Sequence, residues 1–127
     1  MIGYVGEIEK ETLSNDYFRH VIFTGKHSQL VLMSLNPGEE IGMEVHEGVD
    51  QFFRIESGEA MTILNGEERV VFDGGAILVP AGTNHNIVNK SAVNKLKLYT
   101  IYSPANHKDG TIHKTKVEAE ADEADHV

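Results

Sequence analysis

The sequence predicts an all-β domain, and three observations carry that expectation. Short runs rich in apolar and β-branched residues, about nine in all, recur along the chain between clusters of Gly, Pro, Asn and Asp. Asn65-Gly66 falls between two of these runs and is the strongest short-range signal for a two-residue hairpin. Helical patterning is confined to Glu7 to Asn15 and to the stretch after Lys114.

The elements follow in order. Arg19 to Thr24 and Gln29 to Leu35 read as strands separated by Gly25-Lys26-His27-Ser28, and Asn36-Pro37-Gly38-Glu39 reads as a turn. Ile41 to His46 and Gln51 to Glu56 come next, and then Glu59 to Leu64 and Glu67 to Phe72 flank the Asn65-Gly66 hairpin. Ala76 to Val79 is a short run bracketed by Asp73-Gly74-Gly75 and Pro80-Ala81-Gly82, where a proline that cannot donate to a ladder suits a strand end. His85 to Val88 and Leu96 to Tyr102 complete the set. Strand alternation places Gln51, Phe53 and Ile55 on one face with Arg54 on the other, and it separates Tyr99 from Tyr102. With no internal repeat, the expected organisation is one domain over residues 1–117, its core spanning about 19–103, followed by a flexible acidic tail over 118–127. Strand count and spacing alone allow a sandwich or a small barrel.

Composition bounds the function. The chain has 127 residues, enough for one core, and a net charge of −9 that argues against nucleic acid or an anionic membrane as a partner. Five of the acids, Glu118, Glu120, Asp122, Glu123 and Asp125, fall in the last ten residues without a Lys or Arg among them. No apolar run approaches the length of a membrane span and the start lacks a basic and apolar leader, so a cytoplasmic protein is expected. Zero cysteines exclude disulfides and thiol nucleophiles.

Two stretches carry chemistry. The first runs Gly38, five residues, Glu44, one residue, His46, four residues, Gln51, six residues, Gly58; the second runs Gly74, five residues, Pro80, one residue, Gly82, two residues, His85, three residues, Asn89. Glu44 and His46, two apart in a strand-like run, emerge on one face and can reach one ion. Gln51 and His85 close the site if their strands are neighbours. Two imidazoles, one carboxylate and one amide oxygen, with no thiolate, suit one divalent transition metal ion such as Fe, Mn, Co, Ni or Zn. Asp50 is the rival to Gln51, although alternation points it to the opposite face. His107 and His113 lie in a polar loop that could fold over a barrel mouth, whereas His20, His27 and His126 read as ordinary core or surface residues.

These spacings, covering about a third of the chain, resemble the two motifs of the cupin superfamily. The resemblance implies a double-stranded β-helix, the cupin jelly-roll barrel, with a metal near its mouth, and it implies a structural role for Asn89 near the barrel end. His, His and Glu usually stand in the family where this chain has Glu44, His46 and Gln51, an exchange that keeps the ligand charge at −1. The chain looks like the small single-domain cupins described as similar to mannose-6-phosphate isomerase. That likeness implies a mononuclear metalloenzyme acting on a small polar or carbohydrate-like substrate. A sugar-phosphate enzyme also needs cations facing its cavity, for which Arg19 is the available candidate. The two-His-one-carboxylate set equally resembles Fe(II) dioxygenase sites, and a non-catalytic ligand-binding module is the reading from another class. No residue stands out as a general base, so these readings remain open. A homodimer through sheet edges is expected, with the Arg19 to Thr24 strand contributing.

Overall fold

Alternating apolar and polar residues require sheets with one buried face each. The computed structural model, which describes residues 2–127, contains two such sheets. The order is α1 (Ile8–Ser14), β1 (Arg19–Thr24), β2 (Gln29–Leu35), β3 (Asp50–Ser57), β4 (Glu59–Leu64), β5 (Glu67–Phe72), β6 (Ala76–Val79), β7 (His85–Asn89), β8 (Leu96–Ser103), β9 (Ile112–His113) and α2 (Lys116–Ala121). The larger sheet runs β6-β3-β8-β2-β1-β9 and the smaller runs β5-β4-β7, all pairs antiparallel. Val31, Met33, Leu35, Phe53, Ile55, Ile87, Leu96 and Leu98 form the core. As alternation predicts, Gln51, Phe53 and Ile55 are buried while the Arg54 side chain is 41% exposed. Among the described residues no helix is long and apolar enough to cross a membrane.

Local chemistry explains the joints. Asn65 and Gly66 take φ of 48° and 84°, the pair of positive values that a type I′ hairpin turn demands. At Gly58, with φ of 115°, an added Cβ would come within 3.0 Å of Lys95 O, so the crossing of this turn over the start of β8 requires glycine. The Asn89 amide reaches the carbonyls of Leu35, Asn36 and Asn94 at 3.1, 3.1 and 2.9 Å, tying three segments at one end of the barrel. Buried Lys97 donates to Asn15 O and to Asp16 Oδ1, fastening the end of α1 to β8.

Three expectations are corrected. Ile41 to His46 is not a strand but an irregular segment held by single bridges, Glu40 to Val88 and Glu44 to His85. Gly42, at φ of 112°, breaks the extended path, and its N–H donates to the Asn86 side chain (2.9 Å) instead of to a ladder. β1 is not a sheet edge, because β9 pairs with it at Arg19 and His20. Residues 118–127 are not a solvated tail. Thr115 caps α2 by accepting from Glu118 N, and the chain then returns over the domain so that Asp125 is only 2% exposed. The segment has almost nothing apolar to bury, and polar groups anchor it. Asp125 Oδ1 accepts from Thr111 Oγ1 (2.7 Å), Oδ2 lies 2.5 Å from His107 Nδ1, and Lys108 N donates to Asp125 O (2.7 Å).

Candidate metal centre

The two sequence stretches meet across the barrel. Gln51 is the second residue of β3 in the larger sheet and His85 begins β7 in the smaller one, so their strands are not ladder neighbours and the two side chains meet from facing sheets. The Glu44 bridge joins them: Glu44 and His85 exchange both backbone hydrogen bonds at 2.9 Å. Gly82 N donates to His46 O (2.8 Å), which ties the Pro80-Ala81-Gly82 turn to the first stretch. One ligand atom each from Glu44, His46 and His85 then lies within 4.8 Å of the others, and Gln51 Oε1 lies 3.2 Å from His85 Nε2.

Hydrogen bonding fixes what each of these atoms offers. His85 Nδ1 lies 2.9 Å from Thr83 O, and a carbonyl only accepts, so Nδ1 carries a proton and Nε2 is the ring nitrogen turned toward the centre. Thr100 Oγ1 donates to Phe52 O (2.8 Å) and therefore accepts from Gln51 Nε2 (3.0 Å). This orients the Gln51 amide with its oxygen toward His85. His46 Nε2 is 2.8 Å from Glu44 Oε2, yet it is buried without a well-directed hydrogen bond. Burial pushes the Glu44 carboxyl up, but the adjoining His46 ring and the charge of Arg19 outweigh it and hold the group below its ordinary range. It is a carboxylate.

The outcome is two imidazole nitrogens, an ionised carboxylate and an amide oxygen converging on one point, with His46 Nε2 2.8 Å from Glu44 Oε2 and His85 Nε2 3.2 Å from Gln51 Oε1. Protons or a cation must lie between these facing atoms, and the donor types suit a divalent transition ion. The donor set fits a divalent ion, and this group could hold one. Asp50 does not compete with Gln51: it is exposed and its Oδ1 accepts from Ala81 N (2.8 Å), where it clamps the turn before β7.

Two further His/Asp groups close enough for a metal lie beside the C-terminal segment, His107 with Asp125 and His126, and His113 with Asp122 and Asp125. In both, the histidine ring nitrogens are taken up in links between the barrel and the C-terminal segment. His107 bridges Asp125 and the Tyr102 hydroxyl (3.1 Å), while His113 links Asp122 Oδ2 (3.0 Å) to Arg19 Nη1 (3.2 Å). Both histidines are buried, 2% and 3% exposed, as polar links between barrel and C-terminal segment. Tyr102 stands between the two regions, its ring centroid 5.9 Å from that of His46 and 5.1 Å from that of His107. The sequence reading missed Thr100 and Asp125. Thr100 shares the inward parity of Tyr102 on β8, a signal that was present, whereas nothing marks Asp125 within an acidic run.

Comparison with known proteins agrees with this geometry. The family model described as "Cupin domain" matches residues 31–102. The chain is 47% identical over 126 residues to the uncharacterised protein YrkC of Bacillus subtilis (strain 168), covering 94% of this chain and 67% of that protein. It is 50% identical over 113 residues to the uncharacterised protein L612 of Acanthamoeba polyphaga mimivirus, covering 86% and 70% respectively. The crystal structure of BH2720 from Bacillus halodurans superposes with a TM-score of 0.90 at 44% identity, over 93% of each chain. Barrel topology, motif placement and these matches together show that the chain belongs to the cupin family.

Proposed function

We propose that this chain is a mononuclear metal-binding cupin, with one divalent transition ion held by Glu44, His46 and His85 and with Gln51 as fourth ligand, acting on a small polar substrate. The observation that carries this reading is the convergence of one possible ligand atom each from Glu44, His46 and His85, with Gln51 Oε1 beside them, in a buried spot where His46 Nε2 lacks a well-directed hydrogen bond. When bound, such an ion supplies Lewis-acid polarisation of a ligand oxygen. The chain's own contribution is orientation: Thr83 sets the His85 tautomer and Thr100 sets the Gln51 amide, the outer-shell support that metal sites need.

Protein purified without an affinity tag and without added metal should carry close to one equivalent of a divalent ion by elemental analysis. A chain that stays metal-free after incubation with Fe, Mn, Co, Ni and Zn salts refutes the reading. Turnover is to be sought by aldose-to-ketose conversion, and with Fe(II) by oxygen consumption. Loaded protein that binds a ligand but is silent in both assays would make it a binding module.

We further propose that the chain is a homodimer. Val70, Phe72 and Leu78 on β5 and β6 expose 41%, 60% and 65% of their surface beside the free edges of the two sheets, where an unpaired strand invites a partner. Light scattering should give twice the 14.1 kDa chain mass, and a particle of the single mass would exclude the dimer.

A further inference from the structure

Arg19 is not among the candidate ligands of the centre just described, although its charge helps to hold the Glu44 carboxyl down. It is 6% exposed, and among the described residues no carboxylate lies within salt-bridge distance of it. Nη1 lies 3.2 Å from His113 Nδ1 and the guanidinium rests 5.2 Å from the Phe18 ring centroid. Nε is buried without a hydrogen-bond partner, and among the described residues no protein group bonds Nη2. The Nε–Nη2 edge is the fork that matches a carboxylate with two parallel N–H donors. Folding a guanidinium into the interior with that edge unused is costly unless something else completes it.

A cavity of about 130 Å³ adjoins this residue, and Glu44 lines it too, so it opens directly beside the metal centre. Phe18 and Ile41 make its apolar wall, and the C-terminal segment roofs it through Lys116, Ala119, Glu120, Asp125 and His126. Ligand sites for larger molecules usually span about 300–1,000 Å³, so this one suits a molecule of a few heavy atoms. Arg19 and Lys116 face Glu44, Glu120 and Asp125, which leaves one net negative charge while His126 is neutral. A divalent ion at the adjoining centre turns that into one net positive charge. A monoanion is matched and a dianion is not, because three carboxylates oppose the second charge.

We propose that the cavity is a subsite for the carboxylate of a small hydroxy- or keto-monocarboxylic acid, which Arg19 grips while the acid's other oxygen lies over Glu44 toward His46 and His85. This deepens the metal-binding reading and rests on it for the adjoining positive charge. The substrate class follows from the shape of the guanidinium edge, the size of the cavity and its charge.

The test is calorimetric titration of zinc-loaded full chain with pyruvate and, separately, with inorganic phosphate. Pyruvate should bind, phosphate should bind at least about tenfold more weakly, and Arg19→Met should weaken pyruvate by about 30-fold or more with zinc content unchanged, Arg19→Lys falling between. In the wild-type protein the Arg19 Nε–H resonance should move on adding pyruvate, a readout that needs no substitution to fold. An Arg19→Met affinity within about threefold of wild type, phosphate binding as tight as pyruvate, or an unmoved Nε–H resonance overturns the assignment. If the chain takes up no zinc, the metal reading fails and the subsite that needs the ion's charge fails with it, whereas zinc uptake without pyruvate binding overturns the subsite alone.

Discussion

Asp125→Ala should lower the melting temperature by about 10 °C, and deleting residues 118–127 should do at least as much. The carboxylate is 2% exposed and accepts from His107 Nδ1, so removing it leaves that buried donor without an acceptor near the Arg19 guanidinium, while Thr111 Oγ1 keeps Lys108 O at 2.7 Å. Leaving a buried donor without its acceptor costs about 1–3 kcal/mol, and each kcal/mol is worth about 3–5 °C for a domain of this length. The same contact makes stability depend on pH. Burial, together with the charge of Arg19, pushes His107 down from 6.5 to about 4 against the pull of Asp125. Between those values the unfolded chain takes up a proton that the folded chain refuses, so stability is full above 6.5 and falls as pH drops toward 4, by on the order of 2–3 kcal/mol. The depressed Asp125 carboxyl adds a further loss below its ordinary 3.8. Thermal melts of wild type and Asp125→Ala across this range check both effects, and a wild-type melting temperature that is flat from neutral pH to pH 5 would exclude the His107 contribution.

The barrel was legible because its strands alternate and its turns carry their own chemistry. Asn65-Gly66 announces the β4–β5 hairpin through the two positive φ values it adopts, and the parity of Gln51, Phe53 and Ile55 fixes the buried face of β3. The candidate ligands were legible from spacing, since Glu44, His46, Gln51 and His85 sit in the same two motifs that family members share. Their route together was not. Parity predicts that Glu44 and His46 share a strand face, whereas Gly42 breaks that strand and one bridge to His85 replaces it. Nor do local patterns reveal that Gln51 and His85 belong to different sheets, because strand partnership is a long-range property. The C-terminal segment was least legible of all. A run of Glu, Ala and Asp carries the composition of a solvated chain, and what holds it is Asp125 matched to His107 and Thr111 with Asp122 matched to His113, a complementarity invisible before the fold brings them together.

His85→Ala should lower metal affinity by more than about 100-fold, because losing even an outer-shell partner of a ligand costs about 10–100-fold. His46→Ala should do the same, and Asp50→Asn should change metal content little because that acid serves Ala81 N. The discriminating variant is Thr100→Val. Thr100 touches no candidate ligand atom directly, and its hydroxyl acts only by holding the Gln51 amide nitrogen away from the centre. Without it the amide is free to rotate and turn its NH₂ toward His85 Nε2, where it satisfies the lone pair that an ion would use. A loss of about 10–100-fold in metal affinity is expected from that one hydroxyl, with Gln51→Glu partly restoring binding in the Thr100→Val background through added charge. Glu44→Gln should bind the ion more weakly than the pair Glu44→His with Gln51→Glu, which restores the total ligand charge that the single change removes. Competition with a chelating dye resolves these differences. Unchanged affinity in Thr100→Val together with unchanged affinity in Gln51→Ala would remove Gln51 from the ligand set and leave a three-residue site of Glu44, His46 and His85.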